Sequence, residues 1–191
     1  YQTWSVVDME FPASPEDADG WLISGSKHGA YEELDFIAPL EQFVRDITVA
    51  GRPLVGVCFG HQIIAKALGG TVEKFDGGWA VGHNTYNIGG EIFDLNAWHQ
   101  DQVTKLPEGA ERVGTSEFCE NAMLYYAGKA LTIQPHPEFN NLAIDVLLQS
   151  RAKGVVPDDL QNVARERLPL PDSNKAMGNR LAHFLKTKSL S

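Results

Sequence analysis

The segment GVCFGHQ at residues 56–62 limits the possible folds of this chain more than any other part of the sequence. An apolar run at residues 54–58 indicates a buried strand, and the helical sequence HQIIAKAL follows it within two or three residues. Such a sharp strand-to-helix turn is typical of the carboxyl edge of an open α/β sheet, where ligands bind. Glycines at positions 56 and 60 permit the close backbone approach that the turn needs. The segment therefore predicts an α/β fold with Cys58 at the sheet edge.

The rest of the chain alternates short apolar runs with helix-period segments, as stacked β-α units do. We expect strands at residues 4–7 and 20–24 and an amphipathic helix between residues 34 and 49. Residues 71–133 favour short strands separated by Gly, Asn and Asp turns, which suggests antiparallel additions to a parallel core. Helical periodicity returns in the C-terminal segment 140–191. The whole chain, 1–191, is interpreted as one domain, a three-layer α/β/α sandwich with a mostly parallel central sheet.

The composition and net charge of the chain argue against some classes of binding partner and of protein. The formal net charge of −9 argues against nucleic acid and anionic membranes, because both demand a basic surface. The sequence has no apolar run of roughly 18 residues, and its first residues lack the pattern of a signal peptide. Two cysteines are too few for a disulfide scaffold. We therefore expect a cytoplasmic protein whose cysteines are core or catalytic residues.

Cys58 is the candidate nucleophile. The helix that begins just after it would place free N–H groups and the positive end of the helix dipole beside the sulfur, and both favour the thiolate that attacks. The alternative is that Cys58 is only a small buried apolar residue at a strand end, as cysteines often are. The flanking glycines and the strand-to-helix switch favour the catalytic interpretation.

A thiolate nucleophile needs a base and a group that orients the base. The segment IQPHPE at residues 133–138 offers both, because His136 and Glu138 are two residues apart and leave an extended backbone on the same side. A carboxylate on one imidazole nitrogen fixes the tautomer and stabilises the imidazolium. The alternative for this pair is a solvated polar loop.

These two segments carry a resemblance to a known family. GVCFGHQ at residues 56–62 and PHPE at residues 135–138 resemble the class I glutamine amidotransferases, and the family pattern G-x-C-x-G-x-Q is matched in full. ISGSKHGAYEEL at residues 23–34 and NAWHQDQV at residues 96–103 look like the stand-alone, GMP-synthetase-like amidotransferases. The resemblance implies the flavodoxin-like fold of that family and a Cys-His-Glu triad, Cys58, His136 and Glu138.

The resemblance also implies roles around the triad. The backbone N–H groups of Gly25 and Phe59 would hold the oxyanion, and Gln62 matches the family's glutamine-contacting residue. Gln100 and Asp101 match positions that line the α-amino and carboxylate end of glutamine, although the family usually has Gly where Gln100 stands. No metal or other cofactor is implied.

The sequence departs from the family in two places. Family members begin with a strand and a glycine-containing turn, so we expect an N-terminal strand that this sequence does not include. Residues 77–82 replace a Glu-Phe-Gly element that the family often shows after Phe75, which leaves recognition of the glutamine backbone partly unexplained.

The implied reaction is hydrolysis of the glutamine side-chain amide through a γ-glutamyl thioester, with release of glutamate and ammonia. No synthetase domain is fused to this sequence, so ammonia would pass to a separate synthetase. Two alternatives stay open: a stand-alone γ-glutamyl peptide hydrolase, and a non-catalytic module that retains the fold. The sequence leaves the oligomeric state open. Cys119, which has no flanking glycine, is interpreted as structural.

Overall fold

The computed structural model describes residues 1–190. Two short 3₁₀ turns, Val6–Asp8 and Pro15–Asp17, precede the regular elements. In chain order the strands and helices are β1 (Trp21–Ile23), α1 (Ile37–Val49), β2 (Leu54–Val57), α2 (Phe59–Ala67), β3 (Thr71–Lys74), β4 (Ala80–Ile88), β5 (Glu91–His99), β6 (Asp101–Lys105), β7 (Glu111–Thr115), β8 (Met123–Tyr126), β9 (Ala130–Ile133), α3 (Asn141–Ser150), α4 (Asp158–Arg167) and α5 (Asn174–Thr187).

The described residues form a mixed sheet of seven strands in the order β1-β2-β9-β8-β7-β4-β5. Strands β1, β2 and β9 are parallel to one another. The strands beyond β9 pair antiparallel, and the long β4–β5 hairpin turns at Gly89 and Gly90, both with positive φ. Such a turn is natural for two glycines because they carry no Cβ. A separate antiparallel pair joins β3 and β6.

The α/β class and the antiparallel additions are confirmed, and two sequence expectations are corrected. The central sheet is not mostly parallel, since only two of its six neighbouring strand pairs within residues 1–190 run parallel. Parallel pairing needs crossover connections, whereas residues 80–133 are joined mainly by short turns that favour hairpins. Residues 4–7 form no strand, because Trp4 packs on Trp21 with ring centroids 5.4 Å apart and the chain then enters a 3₁₀ turn.

The helices cover both faces of the parallel strands. Helices α1 and α2 share an apolar cluster with Leu54, whereas α5 shares another with Val55 and Val57. Because successive side chains of a strand point to opposite faces, these clusters mark opposite sides of the sheet. The result is three layers, as expected. No helix among residues 1–190 combines the length and the apolar character needed to cross a bilayer.

The parallel strands determine where the site forms. Their carboxyl ends meet at one edge of the sheet, so the segments that follow β1, β2 and β9 lie side by side there. Gly25 follows β1, Cys58 follows β2, and His136 follows β9. Residues far apart in sequence are thereby brought to one place.

Candidate active site

Cys58 lies at the turn between β2 and α2 in a strained backbone conformation, with φ 53° and ψ −106°. A positive φ is unusual for a residue with a Cβ and is often found at functional sites. Its N–H donates to the Ile133 carbonyl at 2.9 Å, which ties the turn to β9. Cys58 lines the pocket described below, although only 6% of the residue is exposed.

The two glycines beside Cys58 are required by close packing. A Cβ at Gly56 would lie 2.6 Å from the Gly60 carbonyl oxygen, and a Cβ at Gly60 would overlap the carbonyl oxygen of Ile23. Real Cβ atoms do not approach backbone atoms so closely. The glycines therefore let α2 start directly against β1 and β2, as the sequence pattern predicts.

His136 is held on several sides. Its backbone N–H donates to the Asn96 carbonyl at 2.8 Å, and its Nδ1 lies 2.7 Å from Glu138 Oε1. The Phe139 ring stacks on the imidazole with centroids 4.0 Å apart and an angle of 3° between the planes. Because Nδ1 is taken by the carboxylate, Nε2 is the nitrogen left for Cys58, and the interaction with Cys58 acts to raise the pKa of the ring.

The electrostatics of the site favour a protonated imidazole. Burial acts to lower the pKa of His136, but hydrogen bonds to Cys58 and Glu138 outweigh it and raise the pKa to about 9. The ring is thus a base that holds its proton firmly near neutral pH. A thiol whose proton has moved to this ring would be a thiolate beside an imidazolium.

Gly25 and Phe59 both lie next to Cys58. An added Cβ at Gly25 would be 3.6 Å from Cys58 Cβ and 2.8 Å from His136 Cε1, so residue 25 touches both partners. Phe59 is the first residue of α2, so its N–H has no acceptor within the helix. The structure thus brings both residues that were expected to hold the oxyanion next to Cys58.

The three expected substrate-contacting residues line one pocket with the triad. Gln62 is nearly buried, and its amide nitrogen donates to the Asp101 carbonyl at 3.0 Å and to Gln134 Oε1 at 3.2 Å. That nitrogen therefore joins α2 to the segment at residues 100–101, where Gln100 forms the bend between β5 and β6.

The Asp101 side chain carries a carboxylate into the pocket wall. Its Oδ1 accepts a hydrogen bond from the Tyr31 hydroxyl at 3.1 Å. Burial raises the pKa of Asp101, while this hydrogen bond and Lys74 act to lower it. Burial, together with the Asp101 charge, raises the pKa of Tyr31 to about 12, so the phenol keeps its proton and donates it. Sequence reasoning missed Tyr31, although it lies in the AYEEL motif that carried the family resemblance.

The pocket has a volume of about 810 Å³. The triad lies on its wall, and the 100–101 segment and Tyr31 line it as well. Further lining comes from Trp98, within the 96–103 segment, and from side chains outside the family motifs: Trp79, Leu147, Arg151 and Val155.

A second group of residues missed by sequence reasoning supports His136. The Phe139 carbonyl accepts hydrogen bonds from the side chains of Asn96, at 2.8 Å, and Asn174, at 2.9 Å. Asn174 is the first residue of α5, and no motif marks it. Phe139 could have been suspected from its position three residues after His136.

Two other reactive side chains, Cys119 and His61, do not line the pocket. Cys119 is 1% exposed, and burial raises the pKa of its thiol to about 12, so it stays a neutral thiol. His61 bonds to Thr132 Oγ1 at 2.8 Å, and burial lowers its pKa to about 3. Among residues 1–190 no group of three His, Cys, Asp or Glu side chains is arranged to hold a metal ion.

Known proteins are similar to this chain in sequence and fold. Residues 3–146 match the profile of the family described as glutamine amidotransferase class-I. Gamma-glutamyl peptidase 4 of Arabidopsis thaliana is 29% identical over 97% of this chain and 81% of its own length. A glutamine-hydrolyzing GMP synthase subunit from Archaeoglobus fulgidus is 33% identical over 64% of this chain and 68% of its own length.

A solved structure has the same overall fold. The glutamine amidotransferase from Methylobacillus flagellatus superimposes with a TM-score of 0.82 at 23% identity, covering 98% of this chain and 82% of that protein. The profile match extends over most of the chain and includes GVCFGHQ and PHPE. This chain therefore belongs to the class I glutamine amidotransferase family, whose members are cysteine-dependent hydrolases or amidotransferases.

Proposed function

We propose that this protein hydrolyses the side-chain amide of glutamine through a thioester on Cys58. One observation carries the proposal: a cysteine in a strained strand-to-helix turn shares a pocket with a histidine whose Nδ1 is 2.7 Å from a carboxylate. That arrangement is what nucleophilic catalysis by a thiol requires. Family membership supports the same reaction class.

The chemistry follows from the positions of the groups. The Cys58 sulfur attacks the amide carbon, and its proton resides on His136. The backbone N–H groups of Gly25 and Phe59 stabilise the negative oxygen of the tetrahedral intermediate. The C–N bond then breaks, His136 gives its proton to the departing ammonia, and the γ-glutamyl group remains on sulfur. Water, activated by the now neutral imidazole, attacks the thioester and releases glutamate.

The polar residues around the triad supply recognition. The Asp101 carboxylate is suited to the α-ammonium group of glutamine, and Gln100 lies beside it at the same bend. The Gln62 amide nitrogen is already used by Asp101 and Gln134, so Gln62 positions this segment and can offer only its amide oxygen to substrate. His136 and Glu138 complete the triad that the sequence predicts.

Ammonia released by this chain would be used by a separate synthetase. The support is the similarity to the Archaeoglobus protein, whose name describes one subunit of a GMP synthase and so indicates a further one. Copurification of this chain with an amidating synthetase, and stimulation of its glutaminase rate by that synthetase, would test the partner.

A second candidate function is hydrolysis of γ-glutamyl peptides, in which an amino acid or peptide replaces ammonia as leaving group. The pocket of about 810 Å³ favours it, because glutamine needs far less space. The similarity to an Arabidopsis γ-glutamyl peptidase supports it as well. The acyl half of the substrate, and hence the chemistry at Cys58, is the same in both.

Labelling with a diazoketone analogue of glutamine tests the common chemistry. We expect rapid alkylation of Cys58 that free glutamine slows, with Cys119 unmodified on the same timescale. Equal labelling of the two cysteines would favour the non-catalytic alternative. Turnover of glutamine compared with γ-glutamyl dipeptides then separates the two candidate functions, and the Cys58→Ala variant gives the background rate.

A further inference from the structure

We propose that the part of the pocket formed by Trp79, Trp98, Leu147 and Arg151 is a subsite for the leaving group of a γ-glutamyl peptide. The amino acid that it fits has an apolar or aromatic side chain and a free carboxylate. This inference rests on the second candidate function, and it names the substrate class. We call these four residues the leaving-group subsite.

The first argument concerns the part of the pocket volume that remains empty when a γ-glutamyl group is bound beside the triad. The γ-glutamyl group is accounted for by Cys58, the oxyanion donors and the 100–101 segment. When glutamine is the substrate, the leaving group is only ammonia. A pocket of about 810 Å³ therefore contains space that neither half of glutamine fills.

The second argument concerns the side of the triad on which the leaving group must lie. His136 must protonate the departing nitrogen, so the leaving group has to lie beside the imidazole. Phe139 stacks on that imidazole at 4.0 Å and, with Trp79, Trp98 and Leu147, packs against one apolar cluster. An apolar wall therefore runs from the proton donor to the subsite.

The third argument is the surface that this wall presents. Trp79 and Trp98 meet edge to face with centroids 6.3 Å apart, and both are only partly buried. Leu147 is also partly buried, and Val155 beside them is 54% exposed. Covering apolar surface of this kind with a ligand is favourable, because the surface is removed from water. An apolar side chain on the leaving amino acid would cover it.

The fourth argument is charge. Arg151 follows α3 directly and lines the pocket, and its guanidinium makes no hydrogen bond or ion pair within residues 1–190. A cation at a helix C-terminus can serve the helix dipole alone. A guanidinium at the rim of a pocket is also the group best shaped to bind a carboxylate with two hydrogen bonds. The free α-carboxylate of the leaving amino acid supplies such a partner.

The reaction balances as it does for glutamine. The bond between the γ-carbon and the peptide nitrogen breaks, and the nitrogen takes the His136 proton and leaves as a free amino group. The acyl group stays on sulfur until water releases glutamate. No co-reactant other than water is needed.

The experiment compares kcat/KM for γ-glutamyl-phenylalanine, its C-terminal amide, γ-glutamyl-glycine and glutamine. We expect γ-glutamyl-phenylalanine to exceed both its amide and γ-glutamyl-glycine by about tenfold. Arg151→Gln should lower kcat/KM for the free acid about tenfold and leave the amide and glutamine unchanged. Lys153→Gln is the matched control, because it removes an exposed cation two residues away that does not line the pocket.

The apolar half of the subsite has its own test. Trp79→Ala should reduce the preference for phenylalanine over glycine by a larger factor than it reduces glutamine turnover. Equal rates on the acid and its amide, or an Arg151→Gln defect shared by every substrate, would overturn the subsite. Hydrolysis of glutamine alone would overturn the subsite and keep the proposed function, whereas no hydrolysis of any γ-glutamyl compound would overturn both.

Discussion

The two halves of the candidate active site are held in different ways. On the cysteine side, the position of the thiol is fixed by backbone: a positive φ, a hydrogen bond from the Cys58 N–H, and glycines that leave no room for a Cβ. On the histidine side, the ring position depends on side chains. Glu138 bonds it, Phe139 stacks on it, and two asparagines hold the Phe139 carbonyl.

The difference predicts how each half tolerates change. A backbone-fixed group can be moved only by disturbing the packing of strands and helix, so substitution of the glycines that permit this packing should damage folding. A side-chain-fixed group can be loosened one contact at a time, so substitutions there should tune rate and pH dependence in a folded protein. The predictions below test this contrast.

The largest expected effect is the loss of the nucleophile itself. Cys58→Ala should lower turnover by a factor on the order of 10⁴ or more, because the thioester can no longer form. Unfolding by urea should be little changed, since alanine fits the same turn. Cys119→Ala is the control, with turnover close to that of the unmodified protein. Retained turnover in Cys58→Ala would exclude the proposed chemistry.

Next is a change to the backbone support of the cysteine. Gly60→Ala should lower the free energy of unfolding by about 3 kcal/mol, because the new Cβ would overlap the Ile23 carbonyl oxygen. Gly178→Ala in α5 is the matched control, as nothing lies within 4 Å of its added Cβ. That variant should be stabilised by up to about 1 kcal/mol. The free energies of unfolding would be measured by urea titration. Equal losses of free energy in the two variants would contradict the contrast.

A smaller loss is expected at Glu138. Glu138→Gln should reduce turnover roughly a hundredfold with normal folding, because the imidazolium loses its carboxylate partner. The pKa of His136, about 9, means that kcat/KM should fall as pH rises through about 9, where the ring loses its proton. In the variant this alkaline limb should move to lower pH, since a group that favours the protonated ring has been removed. An unmoved limb would mean that another group titrates.

The smallest effect concerns the outer support of the histidine. Asn174→Ala removes one hydrogen bond to the Phe139 carbonyl and should lower kcat roughly tenfold with KM unchanged, as expected for a slightly misplaced base. Lys175→Ala, at the next and exposed position, should have no effect. A rise in KM in place of a fall in kcat would assign Asn174 to binding.

The same contrast explains what the sequence could predict. The cysteine turn was visible because its requirements are local: an apolar run, two glycines and a helix within seven residues. His136 and Glu138 were visible because they are neighbours in sequence. Asn96 and Asn174 were not, because their role depends on which loop each faces in the folded chain. The hydrophobic periodicity of the sequence does not indicate such tertiary contacts.

Two errors in the fold prediction also arise from contacts between segments distant in sequence. The mostly parallel sheet was inferred from the α/β pattern near Cys58, but the pairing of later strands depends on turns such as Gly89-Gly90, which favour hairpins. Residues 4–7 have the apolar character of a strand. Their Trp4 packs against Trp21, and no strand forms.

The hydrogen bond from Asn174 joins the start of α5 to the loop that carries the histidine. During synthesis on the ribosome, Cys58 and His136 are made before residues 174–187. A growing chain at that stage lacks this bond and the apolar face of α5 that includes Met177, Leu181 and Phe184. The loop that carries His136 therefore gains this support only after α5 has been made and has docked, so the two sides of the site are completed at different times.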